Sequence, residues 1–249
     1  MAEDAWHNPR ISELLLKSLR HLQLIVGEAH DLHEENAEDV TKIETVFPYR
    51  HANNLCWLAE DLLLLIEDER IASPAVIARA MLESFFYLAA CKSVPNFAAR
   101  KSIWEMREFL RRSRRLVESP SDNWLVAEAA EIQQFIERIE RHYGVAANEP
   151  AWTIARCIDQ CGDVAYLRFN YFFLSLHTHS TFMGLAAQHE GRHAWLIQQS
   201  VLGSLTIGAA IAPQVIPTRS AQEHVDKATA MLGELLELIQ DGVLSHPHD

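Results

Sequence analysis

The sequence has few glycines, nine in 249 residues, and none of them belongs to a phosphate-binding loop or a dinucleotide fingerprint. It also lacks a nucleophile elbow and the ligand spacing of a zinc finger. Positive charge is scarce, because 22 Lys and Arg residues stand against 34 Asp and Glu residues and give a net charge of −12. Phosphate backbones attract positive surfaces, so this balance argues against a general nucleic-acid coat protein. No cofactor is indicated.

None of the four cysteines belongs to a C-x-x-C pair, and we expect small core residues in a reducing cytosol. They are Cys56, Cys91, Cys157 and Cys161. The first residues lack the basic and apolar regions of a signal peptide. The longest apolar run, Val201–Ile216, is shorter than the roughly 20 residues of a membrane span and contains Pro213. We therefore expect a cytoplasmic protein that does not contact a membrane.

Strand signals are almost absent, whereas helix start and stop signals recur along the chain. Asn8-Pro9 starts one helix, and Gly144 and Gly162 end two others. Helices are predicted over about 9–33, 48–70, 74–91, 96–117, 124–142, 150–161, 164–177, 193–213 and 220–241. The sequence therefore predicts an all-α fold, a single helical bundle of eight or nine helices forming one domain over residues 1–249.

The predicted helix from Pro74 to Cys91 is apolar on nearly every side and carries only two charges, Arg79 and Glu83. They lie four residues apart and so share one face. A helix that is apolar all round belongs inside a protein, where each dehydrated charge costs several kcal/mol, in order of magnitude, unless it finds partners. The pair therefore predicts polar partners elsewhere in the chain.

A second polar stripe lies in the aromatic helix near residue 171. Tyr171, Ser175 and His179 follow one another at intervals of four residues, and Arg168 lies one turn earlier. Because these side chains can donate to a carboxylate, and the hydroxyls can accept from a guanidinium, we predict that the two stripes meet.

The two stripes are similar to two motifs of one protein family. Residues 79–83 read Arg-Ala-Met-Leu-Glu, and residues 171–180 read Tyr-Phe-Phe-Leu-Ser-Leu-His-Thr-His-Ser. The chain thereby resembles the bacterial domain-of-unknown-function family 5677 over about residues 45–215. This resemblance implies a helical fold with a polar centre and brings no established activity. His177, two residues before His179, is a second candidate for the family histidine.

Three interpretations of the polar centre remain open at this point. The leading one is a ligand-binding or regulatory protein in a stress or defence setting, with a site formed by Arg79, Glu83, Tyr171, Ser175 and His179 and further ligand contacts from Arg168 and His177. An alternative is a metal-independent ribonuclease or phosphodiesterase, in which His179 is the general acid/base and Arg79 holds phosphate. The third is a structural network that fixes helix packing.

A metal-binding bundle is a further alternative, although the Glu-x-x-His motifs of ferritin-like sites are absent. Its candidate ligands would be Glu83, His179, His51 and Glu60. Arg219 and His224 have the Arg-x4-His spacing of helical ribonucleases of the HEPN class, and we attribute this short spacing to chance.

The predicted helix 97–117 is strongly basic. Its candidate patch for RNA or an acidic partner consists of Arg107, Arg111, Arg112, Arg114 and Arg115. The alternative is a solvated face in which these arginines pair with Glu105 and Glu108. A homodimer is also predicted, on the expectation that apolar helices such as Val201–Ile216 have surface to spare.

Overall fold

The computed structural model describes residues 8–33, 39–67, 72–116, 123–146, 148–162, 166–178 and 194–244. Within these ranges the chain forms nine α-helices, one 3-10 helix at Val40–Lys42 and no strand, which confirms the predicted all-α class. The α-helices are α1 (Pro9–His33), α2 (Ile43–Glu67), α3 (Ala72–Ser93), α4 (Phe97–Leu116), α5 (Asn123–Tyr143), α6 (Ile154–Gln160), α7 (Tyr166–Thr178), α8 (Ala194–Val215) and α9 (Ala221–Gln240).

Helix α2 begins five residues before Pro48, where the sequence predicted its start. The Asp39 carboxylate accepts hydrogen bonds from the backbone and the hydroxyl of Thr41, which starts the 3-10 helix that leads into α2. Pro48 therefore lies inside the helix, where its ring removes one backbone donor. Phe47 and Pro48 are both buried, so packing holds this turn in helical form.

Helix α8 lies at the centre of the molecule and packs against α1, α2, α3, α7 and α9. Gly208 permits a close approach of α8 to α2, because a Cβ added there would lie 3.3 Å from Leu55 Cδ1 of α2. Most of its side chains are buried, including Val201, Leu202 and Leu205. The expectation that this helix has surface to spare is therefore wrong, and the homodimer prediction loses that support.

The apolar interior has two parts. The main core draws on α1, α2, α3, the first turn of α4, α6, α7, α8 and α9, with Phe85, Phe86 and Trp152 among its largest members. A smaller core lies between α4 and α5 and includes Ile103 and Ile136. We term this second cluster the satellite core.

Two stretches, Pro74–Ser93 and Ala194–Val215, are long and apolar enough to cross a membrane by length and composition alone. Within the protein, 61% of the apolar window of the first and 72% of that of the second are buried. Burial of this extent is typical of core helices in a helical bundle.

Candidate functional site

The packing of α7 against α3 brings together four of the predicted site residues, Arg79, Glu83, Tyr171 and Ser175. Arg79 Nη2 lies 2.7 Å from Glu83 Oε1, and Arg79 Nε donates to Ser175 Oγ at 3.1 Å. The Tyr171 hydroxyl accepts from Arg79 Nη2 at 3.3 Å and donates to Glu83 Oε1 at 3.0 Å. We term these four side chains the Arg79 cluster.

The Tyr171 ring and the Ser175 hydroxyl are themselves held in place. Ser175 Oγ donates to the backbone oxygen of Tyr171 at 2.8 Å, the usual i−4 bond of a helical serine. The guanidinium carbon of Arg79 lies 5.5 Å from the centre of the Tyr171 ring. Phe86 packs edge-on against the same ring at 6.2 Å. These contacts restrict the rotamers of all four cluster members.

The charged members of the cluster are not buried as deeply as the sequence predicted. The side chain of Arg79 is 26% exposed and that of Glu83 is 31% exposed. Helix α7 covers only part of this face of α3, and Val76, one turn before Arg79, is 52% exposed. The ion pair therefore keeps part of its hydration, and its desolvation costs less free energy than that of a fully buried pair.

The ionisation of the cluster follows from these contacts. Burial lowers the pKa of Arg79, but the hydrogen bond with Tyr171 and the charge of Glu83 outweigh it, so the pKa is raised overall. Burial raises the pKa of Tyr171 despite its hydrogen bond from Arg79. At neutral pH the guanidinium is therefore charged and the phenol keeps the proton that it donates to Glu83.

The structure places Arg168 elsewhere. Its Nη2 lies 2.8 Å from Asp159 Oδ1, and its side chain is 59% exposed on the outer face of α7. The side chain of His177 and the whole of His179 lie outside the described residues. Participation of either histidine in the Arg79 cluster therefore stays a prediction.

Sequence reasoning missed Tyr87, which continues the polar stripe of α3 at the same spacing of four residues beyond Glu83. Burial and the charge of Glu83 raise its pKa well above the usual value for tyrosine. The spacing of Arg79, Glu83 and Tyr87 was a usable signal, because residues at these intervals share a helix face.

Lys101 is a second residue that the sequence did not single out, and only 2% of it is exposed. Its Nζ donates to the backbone oxygen of Trp152 at 3.2 Å and lies 2.9 Å from Glu105 Oε1. It also lies 4.4 Å from the ring centres of Tyr87 and Trp104. Its position in a basic helix offered no signal that distinguishes it from the exposed arginines.

The candidate metal ligands do not converge in the described part of the chain. Glu60 accepts from Gln23 Nε2 at 2.6 Å. His51 lies nine residues earlier on α2, about 13 Å along the helix axis at the usual rise per residue. Among the described residues, no group of three His, Cys, Asp or Glu side chains is placed to hold a metal ion. His179 lies outside these residues, so its role as a ligand is not tested.

Acidic side chains pair with the described arginines of the basic helix. Arg107 binds Glu140 of α5, and Glu108 binds both Arg111 and Arg112 at 2.5 and 2.8 Å. The two bonded arginines lower the pKa of Glu108 to about 2, so its carboxylate stays charged. The side chains of residues 114 and 115 are outside the described part. These pairs match the solvated-face interpretation.

His224 of the Arg-x4-His spacing lies between α1 and α9 and is 4% exposed. Its ring packs edge-on against His21 at 5.0 Å, and its Nε2 lies 3.2 Å from Glu28 Oε1. Arg219 lies on the exposed surface. A histidine buried in this way cannot reach a polynucleotide, which supports attributing the spacing to chance.

No curated protein and no solved structure is significantly similar to the chain. Residues 46–193, more than half of the 249, match a protein family of unknown function, DUF5677. The match includes both polar motifs, at 79–83 and 171–180, and therefore contains all four side chains of the Arg79 cluster. The match ends at residue 193, just before α8, and is therefore shorter than the region 45–215 over which the sequence predicted the resemblance. The chain belongs to the DUF5677 family.

Proposed function

We propose that this protein binds a small polar ligand at the Arg79 cluster, through an N–H or O–H group that the ligand donates to Glu83. The observation that carries the proposal is the unused hydrogen-bond acceptor capacity of the Glu83 carboxylate. Its Oε1 pairs with Arg79 and accepts a hydrogen bond from Tyr171, whereas its Oε2 makes no protein hydrogen bond within the described residues. A carboxylate has about four acceptor positions, so this oxygen has capacity for a further donor.

The exposure of the ion pair supports binding over a purely structural role. A network that serves packing alone gains by excluding water from both charges, but here roughly a quarter to a third of each side chain faces solvent. The hydroxyls of Tyr171 and Ser175 hold the charges in one arrangement. Such preorganisation reduces the entropy that binding costs. A ligand oxygen near Arg79 would add a favourable charge interaction.

The Glu83→Gln substitution tests this proposal directly. Glutamine keeps an oxygen for Arg79 and Tyr171, but it places an NH₂ donor where the ligand needs an acceptor. Wild-type protein and variant are screened by thermal melting against a panel of amino acids, polyamines and sugars. A panel compound present at a hundred times its Kd adds about 2.7 kcal/mol of stability, which raises Tm by roughly 5–10 °C in a domain of this size.

We expect at least one compound to raise the Tm of the wild type and to have no effect on Glu83→Gln. Arg168→Gln is the matched control, because Arg168 lies on the same helix as Tyr171 but pairs with Asp159 at the surface. It should keep the full ligand-induced shift. A panel without any hit, or a hit that Glu83→Gln retains, would contradict the proposal.

A further inference from the structure

An open groove of about 810 Å³ lies between α2 and α4, and Phe135 of α5 completes its wall. Its volume falls within the range of roughly 300–1,000 Å³ found for small-molecule sites. None of the four residues of the Arg79 cluster lines it. The groove is therefore a candidate site separate from the one described above.

Aromatic side chains form much of the wall of this groove. Phe47, Tyr49 and Trp57 of α2 line it together with Phe135. Trp57 is 61% exposed, an unusual exposure for so large an apolar ring. A smaller concavity of about 350 Å³ on the α1 side shares Tyr49, Asn53 and Trp57 with the groove. The indole is therefore accessible from two sides and is available for stacking against a planar ring.

The groove contains one positive charge without a counter-ion. Arg50 has no acidic partner among the described residues, although it lies on the wall. Neither carboxylate of the wall pairs with Arg50, because Asp39 accepts from Thr41 and Glu105 pairs with Lys101 through Oε1 at 2.9 Å. Arg50 therefore presents its guanidinium to an anionic group of a ligand.

Two neutral polar groups on α2 also lack partners. The amide of Asn53 makes no hydrogen bond within the described residues. His51 Nδ1 is buried and unpartnered, with its ring between Phe47 at 4.4 Å and Tyr87 at 5.0 Å. Burial and the charge of Lys101 lower the pKa of His51 to about 4, so the ring is neutral at pH 7. Buried polar atoms normally have partners, so the unpartnered His51 Nδ1 is unusual, and the half-buried amide of Asn53 is available to a ligand with polar ring atoms.

The spacing of these groups sets the shape of the ligand. Arg50 and Trp57 lie seven residues apart on the same face of α2, about 10 Å along the axis, with Asn53 between them. An inorganic anion would satisfy Arg50 and leave the aromatic wall bare. An uncharged aromatic molecule would leave the guanidinium without a counter-ion. The groove fits a molecule that carries a planar ring at one end and an anion at the other.

We infer that this groove binds a nucleoside monophosphate, with its base stacked on Trp57 and its phosphate bound by Arg50. The amide of Asn53, on the same wall, is assigned to the polar edge of the base. Glu105 on the opposite wall, whose side chain is 49% exposed, is placed to accept from ribose hydroxyls. Stacking on an aromatic side chain tolerates every base, so selectivity among bases depends on Asn53.

Calorimetric titration of the full chain tests this inference with four probes, AMP, GMP, CMP and UMP. Adenosine, guanosine, cytidine, uridine and inorganic phosphate are titrated alongside. We expect saturable binding of at least one nucleotide, about tenfold weaker binding of its nucleoside, and no measurable binding of phosphate alone. Trp57→Ala should weaken nucleotide binding by about tenfold or more. Arg50→Gln should abolish the preference for nucleotide over nucleoside.

Two variants outside the groove serve as matched controls. Phe172→Ala removes an aromatic ring of α7 that is 58% exposed, and Arg112→Gln removes a guanidinium of α4 whose side chain is 73% exposed. Both should keep the wild-type affinity, and thermal melts confirm that every variant is folded. Absence of nucleotide binding at millimolar concentration would overturn the inference. So would nucleotide binding that neither Trp57→Ala nor Arg50→Gln weakens.

Discussion

At the scale of single residues, one phenol links the two charges of the Arg79 cluster. The Tyr171 hydroxyl accepts a hydrogen bond from Arg79 and donates one to Glu83, so it is polarised from both sides. Its raised pKa keeps the proton on the oxygen throughout the physiological range. Removing this oxygen would leave both ions with one partner fewer.

We expect Tyr171→Phe to lower the free energy of unfolding by about 1 kcal/mol, the usual loss for a hydrogen-bonding group. Tyr87→Phe is the matched control on α3, because the Tyr87 hydroxyl makes no hydrogen bond within the described residues. It should change stability by less than about 0.5 kcal/mol. Urea unfolding measures both values. Equal losses of unfolding free energy would show that the hydrogen bonds of the Tyr171 hydroxyl contribute nothing to stability.

The buried imidazole of His51 makes stability depend on pH. Its pKa of about 4 in the folded protein lies below the ordinary 6.5, so the unfolded chain takes up the proton first. The folded state is favoured fully above pH 6.5 and loses this advantage as the pH falls towards about 4. At pH 5 the loss amounts to about 2 kcal/mol.

Urea unfolding at pH 7 and pH 5 checks this expectation. The wild type should lose about 2 kcal/mol more between the two pH values than His51→Gln, because only the wild type carries this titrating ring. His21, whose pKa is lowered chiefly by burial, titrates in both proteins and cancels in the comparison. Identical pH dependence in the two proteins would show that His51 is hydrated in the folded state.

The sequence predicted which residues of the cluster meet, but not how deeply they lie. Intervals of four residues place Arg79 with Glu83 and Tyr171 with Ser175 on any regular helix. Their exposure depends on how much of α3 is covered by α7, which is a property of tertiary packing. The missing partner of His51 is equally invisible in the sequence, because it arises from the rings of Phe47 and Tyr87 around it.

At the scale of helices, the end signals were more informative than the prolines. Gly144 and Gly162 have positive φ angles of 63° and 51° and follow α5 and α6, as the sequence predicted. The prediction that α6 starts at Pro150 was wrong, because Thr153 accepts from the backbone of Arg156 and caps the helix instead. Pro213 likewise does not end α8, which continues to Val215. A buried proline is tolerated where packing compensates for the lost donor.

Two helical glycines should respond in opposite ways to a larger side chain. Gly208→Val places methyl groups against Leu55, Phe85 and Leu88 and should cost about 2 kcal/mol through overpacking. Gly233→Ala on the exposed face of α9 meets nothing within 4 Å and should gain about 0.5–1 kcal/mol of helix propensity. Thermal melts of both variants test the close packing of α2 and α8, and a tolerated valine would contradict it.

At the scale of the whole molecule, none of the four cysteines is in a disulfide. Burial raises the pKa of Cys56 and Cys161 to about 12 and that of Cys157 to about 11, and the pKa of Cys91 is raised well above its usual value. Thiolates are the reactive form, so the folded protein should contain almost none at pH 8.

We therefore expect iodoacetamide to label the native protein at least about a hundredfold more slowly than the urea-unfolded chain, because labelling requires opening of the core. Mass spectrometry after timed quenching counts the labelled thiols and identifies them. All four should react together, since all four lie in or against the main core. One thiol that reacts at the unfolded rate under native conditions would show that its helix is not packed as described.

The division of the interior into two cores has a consequence for how the molecule opens. Helix α5 packs chiefly on α4 and the 3-10 helix, and the satellite core beneath it is small. Its amides should therefore exchange with deuterium through partial opening, while those of α3 and α8 await global unfolding. Met106 and Phe135 pack against the satellite core and also line the groove. A ligand bound in the groove would contact both α2, which belongs to the main core, and α5. It would therefore slow deuterium exchange along α5.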